Sequence, residues 1–158
     1  MTAMNAARPR DREIAFVVEA GNEPSAAELA RLRAAIEGVL DEAAIERATL
    51  SVALVDDPTI HRLNREFLAH DEPTDVVTFP LSEPGGEPLE GEIVVSVDTA
   101  ARTAARFDWP AADELLLYVV HGALHLVGYD DRDADSRAAM RAAERRHLAR
   151  LGLDPPGD

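Results

Sequence analysis

Residues 111–131, AADELLLYVVHGALHLVGYDD, form the most apolar stretch of the 158-residue chain. The run from Leu115 to Val120 leaves no polar face, which predicts a helix that is buried on all sides at the centre of the fold. His121 and His125 follow within this helix, so their imidazoles share one face about 6 Å apart along the axis. Burying an imidazole costs free energy unless a partner binds it, and the pair therefore indicates a ligand.

A turn after this helix supplies a third candidate ligand. Gly128 is the residue type that permits a sharp reversal, and the reversal lets Asp131 face the same cation as His121 and His125. Two imidazoles and one carboxylate suit zinc and leave a position open, although non-haem iron uses the same set. The chain has no cysteine, which excludes thiolate ligands. We therefore expect one Zn²⁺ per chain, with Asp130 as the alternative third ligand.

Patterns elsewhere in the chain predict the fold class. Alternating or apolar runs predict four strands, at residues 13–18, 49–55, 76–79 and 93–97. Capping residues and apolar stripes predict helices that start near Ser25, Asp57, Asp98, Pro110 and Asp135. The sequence thus predicts a single α+β domain: a four-stranded mixed sheet packed on about five helices, with the metal-binding helix central and buried. Helical crossovers favour parallel pairing of the first three strands.

The expected domain covers residues 12–153, between a disordered N-terminus at 1–11 and a flexible tail at 154–158. The formal net charge is −14. Because this charge repels nucleic acid at long range, binding of nucleic acid would require a local basic groove or a bound cation. The chain has no apolar run long enough for a membrane span and no signal-peptide core, so we expect a cytoplasmic protein without membrane contact.

Three motifs carry a resemblance to a known family. HGALHLVGYDD at residues 121–131 resembles the HGxLHLxGYDH signature of the YbeY family of bacterial endoribonucleases and rRNA maturation factors. LNREFLAHDEPTDVVTFPL at 63–81 and GEIVVSVDTA at 91–100 resemble two further blocks of that family. The resemblance implies a zinc-dependent endoribonuclease for single-stranded RNA, acting in 16S rRNA 3′-end maturation and ribosome quality control. It also implies ribosomes and ribosomal proteins as partners.

Two positions depart from the family pattern. The third metal-binding histidine of the family falls at Asp131, a competent ligand that adds a negative charge to the site. The arginine of its second block falls at Leu68. Arg65, one helical turn earlier, can partly replace that arginine, although it can equally be a solvated surface residue. We expect two catalytic residues: His121, as a ligand of the reacting metal, and Arg65, as a positive charge near the substrate.

Other polar residues near these motifs are weaker candidates. Thr74 and Asp75 can order the site, although turn chemistry before a strand explains them nearly as well. His70 is more simply an exposed loop residue than a phosphate contact. His61 and His147 are predicted to lie on polar helix faces and receive no role.

Two alternative functions stay open. One is a ribosome-associated factor with a structural metal and little nuclease activity, which the acidic composition and Leu68 favour. The other is a zinc metalloprotease, because the spacing H-x3-H-x2-G-x2-D also occurs in the long zinc-protease motif. In that motif a glutamate follows the first histidine as general base, and here the residue is Gly122. The protease is therefore the weaker alternative.

Overall fold

The computed structural model describes residues 10–19, 23–68 and 75–156. Within these ranges the elements are β1 (Asp11–Val18), α1 (Ala26–Glu42), β2 (Arg47–Val55), α2 (Asp57–Leu68), β3 (Val76–Pro80), β4 (Leu89–Ser96), α3 (Val97–Phe107), α4 (Ala111–Leu126) and α5 (Ala134–Ala149). Two parts of the predicted termini lie outside the described residues: residues 1–9 of the predicted disordered N-terminus and residues 157–158 of the predicted tail. No helix in the described ranges has the length and apolar character that a bilayer crossing requires.

The four strands form one mixed sheet in the order β1-β2-β4-β3. β1, β2 and β4 run parallel, and β3 pairs antiparallel with β4 at the edge. The predicted four-stranded mixed sheet is confirmed, but the expected parallel pairing of the first three strands is wrong for β3. Residues 81–88 join the adjacent ends of β3 and β4 as a hairpin, which requires antiparallel pairing, and β4 rather than β3 lies beside β2.

Helix α4 is buried between the sheet and the other helices, as predicted. It contacts α1, α3 and α5 on three sides and β3 and β4 beneath it. Val119 and Val120 have no exposed surface, and Leu116 and Leu124 retain 1% each. The apolar sequence of this helix therefore matches a largely buried position, and past its first turn only the face that carries Leu117, His121 and His125 keeps partial exposure.

Gly122 sets how closely α4 lies on the sheet. A Cβ atom at this position would be 2.7 Å from Cγ2 of Ile93 on β4 and 3.3 Å from Cγ2 of Thr78 on β3. Ile93 is fully buried in the core, where close packing makes a shift of its side chain costly. The absence of a side chain at residue 122 thus lets α4 rest directly on β3 and β4, next to His121.

Helix α2 packs on the opposite face of the sheet from α4. Ile60 of α2 joins Val55, Val77 and Val94 in a small cluster separate from the main core. Because side chains alternate along a strand, Val77 and Val94 point away from the face that carries Thr78 and Ile93. The sheet therefore separates the packing surface of α2 from that of α4.

The cap of α2 lies one residue earlier than predicted. Oδ1 of Asp56 accepts a hydrogen bond from the Thr59 amide at 2.9 Å, which makes Asp56 rather than Asp57 the capping residue. Asp57 instead accepts hydrogen bonds from the hydroxyls of Ser96 at 2.6 Å and Thr99 at 2.7 Å. These tertiary contacts join α2 to the start of α3. They engage the carboxylate of Asp57, which the local sequence pattern predicted as the helix cap.

Candidate metal centre

His121, His125 and Asp131 converge at the end of α4. The two Nε2 atoms are 3.1 Å apart, and Oδ2 of Asp131 lies 3.6 Å from each. A triangle with these sides has a centre about 2.0 Å from all three corners, close to a zinc–nitrogen bond length. The three side chains can therefore hold one metal ion, and the donor set fits the ion that the sequence indicated.

The turn that carries Asp131 depends on Gly128. Gly128 adopts φ +114°, a backbone conformation that side-chain-bearing residues rarely adopt. The amide of Tyr129 then donates to the Leu124 carbonyl at 2.9 Å, which closes the turn against the helix end. The reversal predicted from Gly128 is present, and it brings the chain back so that Asp131 faces the histidines.

The neighbouring carboxylate is directed elsewhere. Oδ1 of Asp130 accepts a hydrogen bond from the Asp131 amide at 2.6 Å, and Oδ2 of Asp130 lies 2.8 Å from Nε of Arg132. Both oxygens of Asp130 thus have partners within the turn. Of the two carboxylates that the sequence left open as third ligand, the structure brings Asp131 to the histidine pair.

The outer nitrogens of both imidazoles have acceptors. Nδ1 of His121 lies 2.5 Å from Oε2 of Glu144 on α5, and Nδ1 of His125 lies 3.1 Å from the Tyr129 carbonyl oxygen. A carbonyl and an ionised carboxylate only accept hydrogen bonds, so each Nδ1 carries the proton. Both Nε2 lone pairs are then free to bind a cation, the arrangement found around metal-binding histidines.

The charges around His121 favour a cation. Burial would lower its pKa, but the hydrogen bond and the charge of Glu144 outweigh burial, and Asp75 and Asp131 add to the effect. The pKa of His121 is therefore raised above its usual value. A site that stabilises positive charge on an imidazole also stabilises a metal ion held at the same place.

Glu144 was not among the residues singled out from the sequence. Its side chain is buried, and the residue retains 8% exposure. It lies four residues after Met140 and four before Leu148, on the inward stripe of α5. A glutamate on an apolar stripe is rarely buried without a partner. The position of Glu144 on that stripe was therefore the sequence signal for a buried, paired carboxylate.

An open cleft of about 220 Å³ adjoins the metal centre. Tyr118 and His121 line it from α4, Arg137 and Arg141 line it from α5, and Asp75 lines it from the start of β3. Asp75 is thus close to the site, as the sequence suggested. Thr74 and His70 lie outside the described residues.

Arg65 and His147 are not among the residues that line this cleft. Arg65 is an exposed residue of α2, the helix that packs on the opposite sheet face, and its catalytic role stays a prediction. The expected polar position of His147 is wrong: the residue is 3% exposed, and its Nε2 lies 3.2 Å from Oε1 of Glu42. Helix α5 packs against α1, so the face of α5 that carries His147 is covered, and burial lowers the pKa of this histidine.

Comparison with known proteins identifies the family. The family model described as Endoribonuclease YbeY matches residues 18–152, which include every residue of the metal centre. The chain belongs to the YbeY family. The YbeY endoribonuclease of Rhodopirellula baltica is 46% identical over 82% of this chain, and the match spans 64% of that protein's length. The YbeY endoribonuclease of Halorhodospira halophila is 42% identical over 91% of this chain and 95% of its own length.

A solved structure agrees with the α+β fold. The solution structure of a Thermotoga maritima protein superposes with a TM-score of 0.60 and 28% sequence identity. The superposition covers 93% of this chain and 99% of that protein. The α+β fold and the family membership inferred from three motifs are therefore confirmed.

Proposed function

We propose that this protein is a cytoplasmic, zinc-dependent endoribonuclease that cleaves single-stranded RNA. Its proposed role is maturation of the 16S rRNA 3′ end and ribosome quality control, with ribosomes and ribosomal proteins as partners. The observation that carries the proposal is the convergence of His121, His125 and Asp131 beside an open cleft. An RNA strand in that cleft would reach the metal centre directly.

Zinc is the proposed metal because the donor set suits it, although non-haem iron uses the same set. Two neutral imidazole nitrogens and one carboxylate oxygen form a three-ligand set of the kind used at catalytic zinc sites, where a position is left open. We propose one Zn²⁺ per chain, which the single such cluster among the described residues supports. His121, His125 and Asp131 would hold the ion, which would supply a Lewis acid for a phosphoryl oxygen that develops charge.

The residues of the chain prepare the centre for that chemistry. Glu144 and the Tyr129 carbonyl hold the His121 and His125 rings with their Nε2 atoms inward. Asp131 adds a carboxylate where the family motif has a histidine, which reduces the net positive charge that substrate phosphate meets. We expect slower phosphodiester cleavage than a site with three imidazoles would support. Arg65 stays a candidate phosphate contact for RNA that extends towards α2.

A ribosome-associated factor with a structural metal is the second candidate. The net charge of −14 favours it, because an acidic chain repels free RNA and would depend on protein contacts to reach the ribosome. The protease alternative has less support. Gly122 replaces its general base, and Ile93 fills the space that a side chain at residue 122 would need.

Digestion of single-stranded RNA by the metal-loaded protein tests the proposal. The wild-type protein should cleave the RNA, a chelator should abolish cleavage, and added Zn²⁺ should restore it. His121→Ala should stay inactive with added Zn²⁺, whereas the matched control His61→Ala on α2 should retain activity. Binding to ribosomes together with intact RNA at high protein concentration would support the second candidate instead.

A further inference from the structure

The wall of the cleft formed by α5 carries two arginines. Arg137 and Arg141 are four residues apart on this helix, so they project from the same side, and both are exposed. They line the same cleft as His121 and Asp131. Nη1 of Arg137 lies 3.4 Å from the backbone oxygen of Asp131, which places this guanidinium beside the third ligand of the metal centre.

Many arginines elsewhere in the described chain have their charge compensated by carboxylates. Ion pairs of this kind involve Arg12, Arg31, Arg102, Arg146 and Arg150. The hydrogen bond of Arg137 is different, because its acceptor is a neutral carbonyl. Arg137 also interacts electrostatically with Asp133, which lies outside the residues that line the cleft. Its guanidinium is exposed at the cleft, where an anion can reach it.

The carboxylates of the cleft are mostly directed at protein partners. Glu144 accepts from His121, and Oε1 of Glu114 accepts from Nε1 of Trp109 at 2.8 Å. Asp131 faces the two histidines. Asp75 lines the cleft from the start of β3. The α5 wall is therefore the side on which an RNA backbone would meet positive charge.

We propose that Arg137 and Arg141 bind backbone phosphates of single-stranded RNA next to the phosphate at the metal centre. The proposal rests on the proposed function and adds the residues that hold the substrate in place. Guanidinium groups suit this task because they stay charged and donate two parallel hydrogen bonds to a phosphate. Contacts to phosphate carry no base information, so binding should show little sequence preference.

The salt dependence of RNA binding tests the proposal. The probe is a fluorescein-labelled, single-stranded 2′-O-methyl oligonucleotide, and its binding to zinc-saturated full-length protein is followed by anisotropy over a salt series. Each phosphate contact removed should reduce the slope of log affinity against log salt by about 0.7. Arg137→Gln and Arg141→Gln should each show that reduction, the double variant about twice as much, and Arg137→Lys almost none.

Arg33→Gln is the matched control. Arg33 lies over the ring of Phe16 on β1, at the sheet edge opposite β3, and its replacement changes the net charge by the same amount. An unchanged slope in both α5 variants, or an equal reduction in Arg33→Gln, would overturn the proposal. Cleavage is assayed separately. If the variants have reduced slopes but the wild-type protein leaves RNA intact, the phosphate site is supported and the nuclease function is rejected. If the wild-type protein cleaves RNA but the slopes are unchanged, the nuclease function is supported and the phosphate site is rejected.

Discussion

Nδ1 of His121 lies 2.5 Å from Oε2 of Glu144, and this contact joins the central helix α4 to the last helix α5. The carboxylate accepts a hydrogen bond from the protonated Nδ1, so the opposite ring nitrogen faces His125 and Asp131 with a free lone pair. The orientation of a metal ligand on α4 is thus determined by a residue of α5. Packing between these two helices and the shape of the metal centre are therefore coupled.

Replacing Glu144 should weaken zinc binding. Glu144→Gln keeps an acceptor but removes the charge that orients and polarises the His121 ring, and loss of such a partner typically reduces affinity 10–100-fold. We expect a decrease of about 10-fold for Glu144→Gln and up to about 100-fold for Glu144→Ala. Competition with a chromogenic chelator measures the affinity. Glu66→Gln, an exposed change on α2, is the control, and equal affinities for Glu66→Gln and Glu144→Gln would contradict the coupling.

The third ligand can be tested by exchange. Asp131→Ala should lower zinc occupancy because it removes one of the three donor atoms, whereas Asp131→His should retain it by supplying an imidazole. Asp130→Ala should also retain zinc, since the Asp130 carboxylate is bonded within the turn. Elemental analysis after dialysis gives the zinc-to-protein ratio. Full zinc occupancy in Asp131→Ala would show that Asp131 is not the third ligand.

Two glycine-to-alanine changes should have opposite effects on stability. Alanine is favoured over glycine in a helix by about 1 kcal/mol, so Gly38→Ala in α1 should stabilise the fold. The nearest neighbour of a Cβ there is Nδ1 of His147, 3.8 Å away, an ordinary contact. Gly122→Ala would place a Cβ 2.7 Å from Ile93, and overpacking of this kind costs about 1–3 kcal/mol. We therefore expect a lower free energy of unfolding for Gly122→Ala.

Urea denaturation measures both changes. The cost of Gly122→Ala should shrink in an Ile93→Ala background, which removes the methyl group that Cβ would strike. If Gly122→Ala stabilises the protein as much as Gly38→Ala does, α4 does not rest on β4 as described.

The contact between α1 and α5 should make stability depend on acidic pH. A hydrogen bond from Arg146 and another from Arg150 lower the pKa of Glu42 to about 2, although burial opposes them. Because the folded state favours the ionised form, this contribution is present above the ordinary carboxyl pKa of 4.5 and is lost as pH falls through about 2. Glu42→Gln should therefore cost about 1 kcal/mol at neutral pH, allowing for a partly exposed side chain.

Unfolding free energies of wild type and Glu42→Gln at a series of pH values check this. The difference should be largest near neutrality and should decrease steadily from about pH 4.5 towards pH 2. A difference that stays constant over that range would show that titration of Glu42 does not cause the pH dependence of stability.

The local features of the site were readable from the sequence. The apolar run before His121 predicted a central helix, the spacing to His125 predicted two imidazoles on one face, and Gly128 predicted the reversal that carries Asp131 back. Each of these inferences depends on residues close together in the chain, where helical periodicity and turn conformation determine the geometry.

Contacts between distant segments were decided by the tertiary structure. The partner of His121 is Glu144, the antiparallel edge strand is β3, and the cleft wall beside Asp131 carries Arg137. His147 is buried because α5 packs against α1, although the local pattern placed it on a polar face. Periodicity gives each helix an apolar stripe, but which neighbour covers that stripe, and where its boundary falls, depends on how all the elements pack together.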